Sequence, residues 1–115
     1  MPDEYIAKID GVAKIDSKNY LKDINATGLK VLDFGCGTGE YGLRLARQAR
    51  EVHFYDIPNR ATEFLKWRIA DRKLENCKIV SEMDNDYDII INVDVLEHVY
   101  KPVELLKELT VKVRS

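Results

Sequence analysis

Val31 to Gly42 reads VLDFGCGTGEYG, with four glycines in eight positions directly after an apolar run of strand length. A backbone that loose, where a strand hands over to a helix, suits close approach to a ligand. Strand and helix signals alternate outward from it. Lys30–Phe34 (KVLDF) is the strand, and Glu40–Arg50 follows with Leu43, Ala46 and Ala49 at helical spacing. Arg47 and Arg50 fall in its last turn, where the helix dipole favours cations. Glu51–Tyr55 (EVHFY) is a second strand, closed by Asp56, Pro58 and Asn59. Arg60–Leu74 is a second helix, with Ala61, Leu65 and Ile69 at four-residue steps and Phe64 widening the face; Trp67 falls off that stripe and is expected to be partly exposed. Cys77–Val80 makes a third strand. The turn-rich SEMDNDYD leads into a fourth, Asp88–Val93, apolar at nearly every position as a strand buried on both faces should be. A last helix starts near Pro102, a residue suited to a first helical position, and is expected to bury Val103, Leu106, Leu109 and Val113.

This alternation predicts an α/β domain built on a doubly wound parallel sheet with right-handed crossovers. The domain spans residues 30–115, and residues 1–29 read as an N-terminal extension or short helix. Ser17–Ile24 suits a helix capped by Ser17. AKID occurs twice, at Ala7–Asp10 and Ala13–Asp16; two tetrapeptides are too little for a solenoid, and the repeat reads as coincidence. A length of 115 residues leaves room for one core. The net charge of −2 argues against a protein that coats nucleic acid. Two cysteines are too few for a disulfide framework, no apolar signal-peptide core opens the chain, and no apolar run reaches membrane-span length. A soluble cytoplasmic domain is expected.

Three readings of the loop compete. A P-loop requires a Gly-Lys-Ser/Thr ending, which is missing. Gly37, Gly39 and Gly42 match a GxGxxG dinucleotide fingerprint in letters, but Gly35 and Cys36 intervene where its first glycine should turn directly off the strand. The third reading takes Gly35, Gly37 and Gly39 together with Asp33. A carboxylate beside exposed amides repels a pyrophosphate and suits a ligand end that carries an ammonium group. An amino-acid moiety offers a carboxylate to the amides and an ammonium to Asp33, which selects S-adenosylmethionine over NAD. Plainer roles stand beside these: a turn cap for Asp33, a cap of the Pro58 helix for Asp56, and helix–strand packing for Gly39 and Gly42.

On these residues the chain resembles the class I S-adenosylmethionine-dependent methyltransferases. VLDFGCGTG, Val31–Gly39, is similar to their first motif, hydrophobic-Leu-Asp-x-Gly-x-Gly-x-Gly. The resemblance implies that Asp33, Gly35, Cys36, Gly37 and Gly39 hold the cofactor's amino-acid end. It implies that Asp56 binds both ribose hydroxyls and that Ile57 packs on the adenine. Ser81–Glu82–Met83 stands where the family often has Gly-Asp-Ala, which puts Glu82 and Met83 at the adenine edge; the acidic stretch Glu82 to Asp86 also reads as a solvated loop. YDIIINVDVLEHV, Tyr87–Val99, is similar to the family's FDxVxxxxVLEHV segment and brings Asn92 and Asp94 to the same sheet edge. The family's strand order, 3-2-1-4, puts the switch point between the first and fourth strands.

Methyl transfer is an in-line displacement at a sulfonium carbon, so positioning supplies much of the rate. Oxygen or nitrogen acceptors also call for a base, and His98, with Asp94, is the catalytic candidate because an unperturbed imidazole titrates at about 6.5. VLEHV recurs across the family with different acceptors, so it marks the fold more than the substrate, and Glu97 reads as structural. Cys36 lacks a basic partner and reads as a small filler. Cys77, His53 and His98 form no zinc-ligand spacing, so no metal is expected. The expected acceptor is a small molecule rather than a nucleic acid; lipid quinone, protein and RNA stay open. The chain stops where the family continues with three further strands, so it reads as the cofactor-binding part of a methyltransferase. A non-catalytic binding or scaffold module is the alternative. An apolar fourth-strand edge invites pairing, and a homodimer through Asp88–Val93 is expected.

Overall fold

Alternation at period two sorts the strand residues onto two faces of one sheet. In the computed structural model, residues 6–9, 12–15, 24–91, 107–109 and 111–113 are described, the first two stretches as backbone only. The elements among them are β1 (Ile6–Ile9), β2 (Val12–Ile15), β3 (Lys30–Phe34), α1 (Glu40–Leu45), β4 (Glu51–Tyr55), α2 (Arg60–Asp71), β5 (Cys77–Ile79) and β6 (Ile89–Ile91). Four strands form a parallel sheet in the order β5-β4-β3-β6, the 3-2-1-4 order expected. Val31, Val52, Phe54, Ile89 and Ile91 pack on the α1 and α2 side with Leu43 and Leu65. Leu32 and Ile90 face the other way, against Tyr87 and Leu109.

The two AKID copies are not idle. β1 and β2 carry the Ala-Lys-Ile of each copy and pair antiparallel, with Ala7 opposite Lys14 and Lys8 opposite Ala13. β2 lies alongside β6, the edge on which pairing between two copies is expected. The predicted helix over Ser17–Ile24 lies almost wholly outside the described residues, as do Asn92 to Leu106.

Both helices end earlier than their periodicity suggests. α1 stops at Leu45 with Ala46 as its C-cap. Asn76 Nδ2 donates to the Ala46 and Ala49 carbonyls at 2.7 and 3.0 Å, which satisfies acceptors left open by the helix end and turns the chain toward β4. α2 stops at Asp71, two residues before Lys73, whose φ of 54° lies in the left-handed region. Val113, expected on the buried face of the last helix, instead forms a parallel bridge with Tyr87, while Leu109 is buried as expected.

Candidate functional site

The site forms where β3 and β4 end side by side. Gly35, Gly37 and Gly39 have φ of 70°, 54° and 79°, and these left-handed turns fold the loop back over the end of β4. The Gly35 and Cys36 amides donate to the Tyr55 carbonyl at 2.8 and 3.2 Å, and the Gly37 amide donates to Asp56 Oδ2 at 2.9 Å. Asp56 Oδ1 accepts from the amide of Ile57 at 2.7 Å. The Gly39 amide donates to the Cys36 carbonyl at 2.8 Å. Among the described residues nothing accepts from the Thr38 amide, which leaves it as the open donor of the loop. Thr38 was not singled out by the glycine pattern, because its side chain carries no motif signal.

The glycines divide by what surrounds them. A Cβ on Gly37 would meet nothing within 4 Å, so that side of the loop is open. A Cβ on Gly39 would lie 2.4 Å from Leu65 Cδ1, and one on Gly42 would lie 2.4 Å from Phe54 Cε1 and 2.9 Å from Asp33 Oδ2. Gly39 and Gly42 therefore serve close helix–strand packing, the plainer of their two roles.

Asp33 does the work of an N-cap. Gly39 occupies the N-cap position of α1 and offers no side-chain bond, and Asp33 Oδ2 accepts from the Gly42 amide at 2.9 Å instead. The residue is only 2% exposed. Burial pushes its carboxyl up to about 7, the Gly42 bond pulls it down, and the charge on Asp56 adds to the rise. Asp56 is not needed as a helix cap, since Asn59 caps α2 by accepting from the Ala61 and Thr62 amides in a capping box with Thr62. Burial likewise drives the Cys36 thiol up to about 12, so it stays protonated and inert as a nucleophile.

Ile57 is 77% exposed directly after Asp56, an apolar surface beside a carboxylate. A cavity of about 580 Å³ opens there between α2 and β5, touching Asp56, Ile57 and Ser81 and running away from the glycine loop toward Ile69 and Cys77. Glu82 is solvent-exposed, while Met83 is partly buried against the Leu32–Tyr87 layer. Asp84, in the stretch also read as solvated, is exposed yet pairs with Lys30 Nζ at 2.6 Å. Asn92, Asp94 and His98 lie outside the described residues. The buried Asp33 carboxyl and the Asp56 carboxylate beside an open amide disfavour a pyrophosphate and suit a ligand end carrying both a carboxylate and a cation. Among the described residues no group of three or more His, Cys, Asp or Glu is placed to hold a metal ion.

The sequence profile of a family described as a methyltransferase domain matches residues 5–113. The chain belongs to that family. A curated relative of this methyltransferase-domain chain, the ubiquinone biosynthesis O-methyltransferase of Leptothrix cholodnii, is 28% identical over 88 residues, which cover 70% of the chain and 37% of the relative. The tRNA (uracil-5-)-methyltransferase homolog B of Mus musculus is 36% identical over 58 residues, 50% of the chain and 12% of the relative. A solved structure of a SAM-dependent methyltransferase from Aquifex aeolicus matches with a TM-score of 0.72 at 23% identity, over 84% of this chain and 57% of that one. The cyclase SpnF matches with the same TM-score of 0.72 at 20% identity, over 84% of this chain and 39% of its own. The methyltransferase-domain chain thus spans less than two thirds of each of these proteins. Its fold is the class I S-adenosylmethionine-dependent methyltransferase fold.

Proposed function

We propose that the chain is the cofactor-binding part of an S-adenosylmethionine-dependent methyltransferase that acts on a small molecule in the reducing cytoplasm. One observation carries the reading: the Thr38 amide stands open in a glycine loop flanked by the carboxylates of Asp33 and Asp56. When bound, S-adenosylmethionine supplies an electrophilic methyl group on a sulfonium sulfur. The Thr38 amide donates to the ligand carboxylate, and the open side of Gly37 admits its close approach. Gly35, Cys36 and Gly39 shape the loop through their own backbone bonds. Asp33 supplies negative charge near the ammonium. Asp56 accepts from the ribose hydroxyls with the lone pairs left after the Gly37 and Ile57 amides. Ile57 covers the adenine face, with Glu82, Met83 and Asn92 toward its edge. His98, positioned with Asp94, takes the proton of an oxygen or nitrogen acceptor. The relative named as a ubiquinone biosynthesis O-methyltransferase supports a small-molecule acceptor.

Isothermal titration with S-adenosylmethionine, S-adenosylhomocysteine and NAD tests the reading. Both adenosyl ligands should bind and NAD should not; binding of NAD alone would overturn it. A non-catalytic module on the same fold is the second reading, since this fold does not fix an activity: SpnF, which shares it, is named a cyclase and not a methyltransferase. Cofactor binding without methyl transfer to a panel of phenolic, amine and thiol acceptors would select it.

A further inference from the structure

Arg68 on α2 reaches the glycine loop from 30 residues away in sequence. Its Nη1 donates to the Thr38 carbonyl at 3.1 Å and lies 3.9 Å from Glu40 Oε2. The guanidinium carbon sits 5.5 Å from the centroid of the Phe64 ring, and Phe64 stacks on Trp67 at 5.8 Å with 12° between the planes. The Arg68 side chain is 16% exposed, whereas Phe64 and Trp67 stand half in solvent. The Phe64 ring, itself stacked on Trp67, therefore covers the guanidinium on one side and leaves Nη1 toward the loop.

The Thr38–Gly39 peptide is planar and trans, so its C=O and N–H point in opposite directions. Arg68 holds the carbonyl end, and the Cys36 carbonyl accepts from the Gly39 amide at the other. Two peptides earlier in the loop, Asp56 fixes the Gly37 amide. The peptide carrying the open Thr38 amide hangs between these two anchored planes. Glycines at 37 and 39 supply soft torsions on either side, so without both anchors the amide would sample many directions.

We infer that Arg68 is a positioning residue for the glycine loop: it holds the Thr38 carbonyl so that the Thr38 amide stays presented to an incoming carboxylate. The inference rests on the loop being the S-adenosylmethionine site, and its test has two arms. Amide hydrogen exchange on the ligand-free full chain compares wild type, Arg68→Lys and Arg68→Gln. Exchange at Gly39 should speed up about tenfold in Arg68→Gln, with Leu65 and Ile69 on α2 unchanged and Arg68→Lys in between. Unchanged exchange at Gly39 in both variants overturns the inference whatever the ligand does. Titration with S-adenosylhomocysteine reads the consequence: affinity should fall about tenfold in Arg68→Gln and recover in part in Arg68→Lys. Equal affinities in all three also overturn it. A wild-type chain that does not bind S-adenosylhomocysteine sinks the reading of the site, while the exchange data still decide whether Arg68 anchors the loop. Should Arg68→Gln fail to fold, Arg68→Lys carries both arms.

Discussion

The Gly37 amide donates to the Asp56 carboxylate at 2.9 Å, a side-chain bond that adds to the backbone bonds on Tyr55 in tying the glycine loop to the end of the neighbouring strand. Asp56 thereby shapes the loop and, in the proposed function, also receives the ribose. Asp56→Ala removes both roles, and S-adenosylhomocysteine affinity should fall by roughly 10–100-fold, the worth of one or two bonds to a charged group. Asp56→Asn keeps an oxygen for the Gly37 amide and should recover part of that loss. Isothermal titration of the two variants against wild type is the check; equal affinities would remove Asp56 from the site.

Gly37 and Gly42 should fail in different ways. A methyl group on Gly37 meets open space but sits on a left-handed backbone, so Gly37→Ala costs about 1–2 kcal/mol of strain and fills the side from which the ligand approaches. A methyl group on Gly42 drives into Phe54 and Asp33, and overpacking there should cost about 1–3 kcal/mol even though alanine is the better helix former. Urea unfolding paired with ligand titration separates them. Gly42→Ala should lose mainly stability, and Gly37→Ala should lose affinity on top of its strain cost.

What the sequence revealed follows from how local each signal is. The order of the parallel strands was legible because each strand is a short apolar run closed by its own turn residues, and the glycine motif fixed which strand lies at the centre. The roles of Asp33 and Gly42 were legible only as alternatives, since the bond between them joins a strand to a helix. Arg68 was invisible: its partner is a backbone carbonyl, and a carbonyl leaves no trace in residue type. The β1–β2 pairing has a sequence signal of its own. Asp10 and Gly11 stand between the two short apolar runs, and Asp-Gly in that place marks a two-residue hairpin connection. The end of α1 is not legible in its own periodicity because Asn76, far along the chain, supplies the bonds that let it stop.

Asp33 predicts a pH dependence whose sign can be worked out. Its carboxyl titrates at about 7 in the folded chain and near 3.8 ordinarily. Between those values the folded chain keeps a proton that the unfolded chain has released, so this residue's contribution to stability is complete below the lower value and is lost as pH rises through about 7. Asp33→Asn keeps an acceptor for the Gly42 amide and abolishes the titration. Relative to wild type, the variant should therefore gain urea resistance between about pH 5 and about pH 8. Its affinity for S-adenosylhomocysteine should fall at the higher pH, where wild type presents a charged carboxylate to the ammonium. A stability difference that does not change with pH would show that Asp33 is ionised throughout.

Tyr87 tests the sheet face away from α1 and α2. It is fully buried, its hydroxyl lies 2.7 Å from His53 Nδ1, and the same oxygen accepts from the Asp84 amide at 2.9 Å. Burial lowers the His53 pKa against the opposing pull of Glu51, so the imidazole stays neutral. The tautomer with its hydrogen on Nε2 then lets the Tyr87 hydroxyl donate to Nδ1. Nε2 itself lies 2.7 Å from Glu51 Oε1 but off the line of a hydrogen bond, so Tyr87 is the better-aligned of its two partners. Tyr87→Phe preserves the ring that Lys30 Nζ overlies at 4.8 Å and strips the buried His53 Nδ1 and the Asp84 amide of their partner. The cost should be about 1–3 kcal/mol in urea unfolding near neutral pH. S-adenosylhomocysteine affinity should stay at the wild-type value, because the network does not touch the glycine loop; a loss of affinity without a loss of stability would place Tyr87 in the site instead.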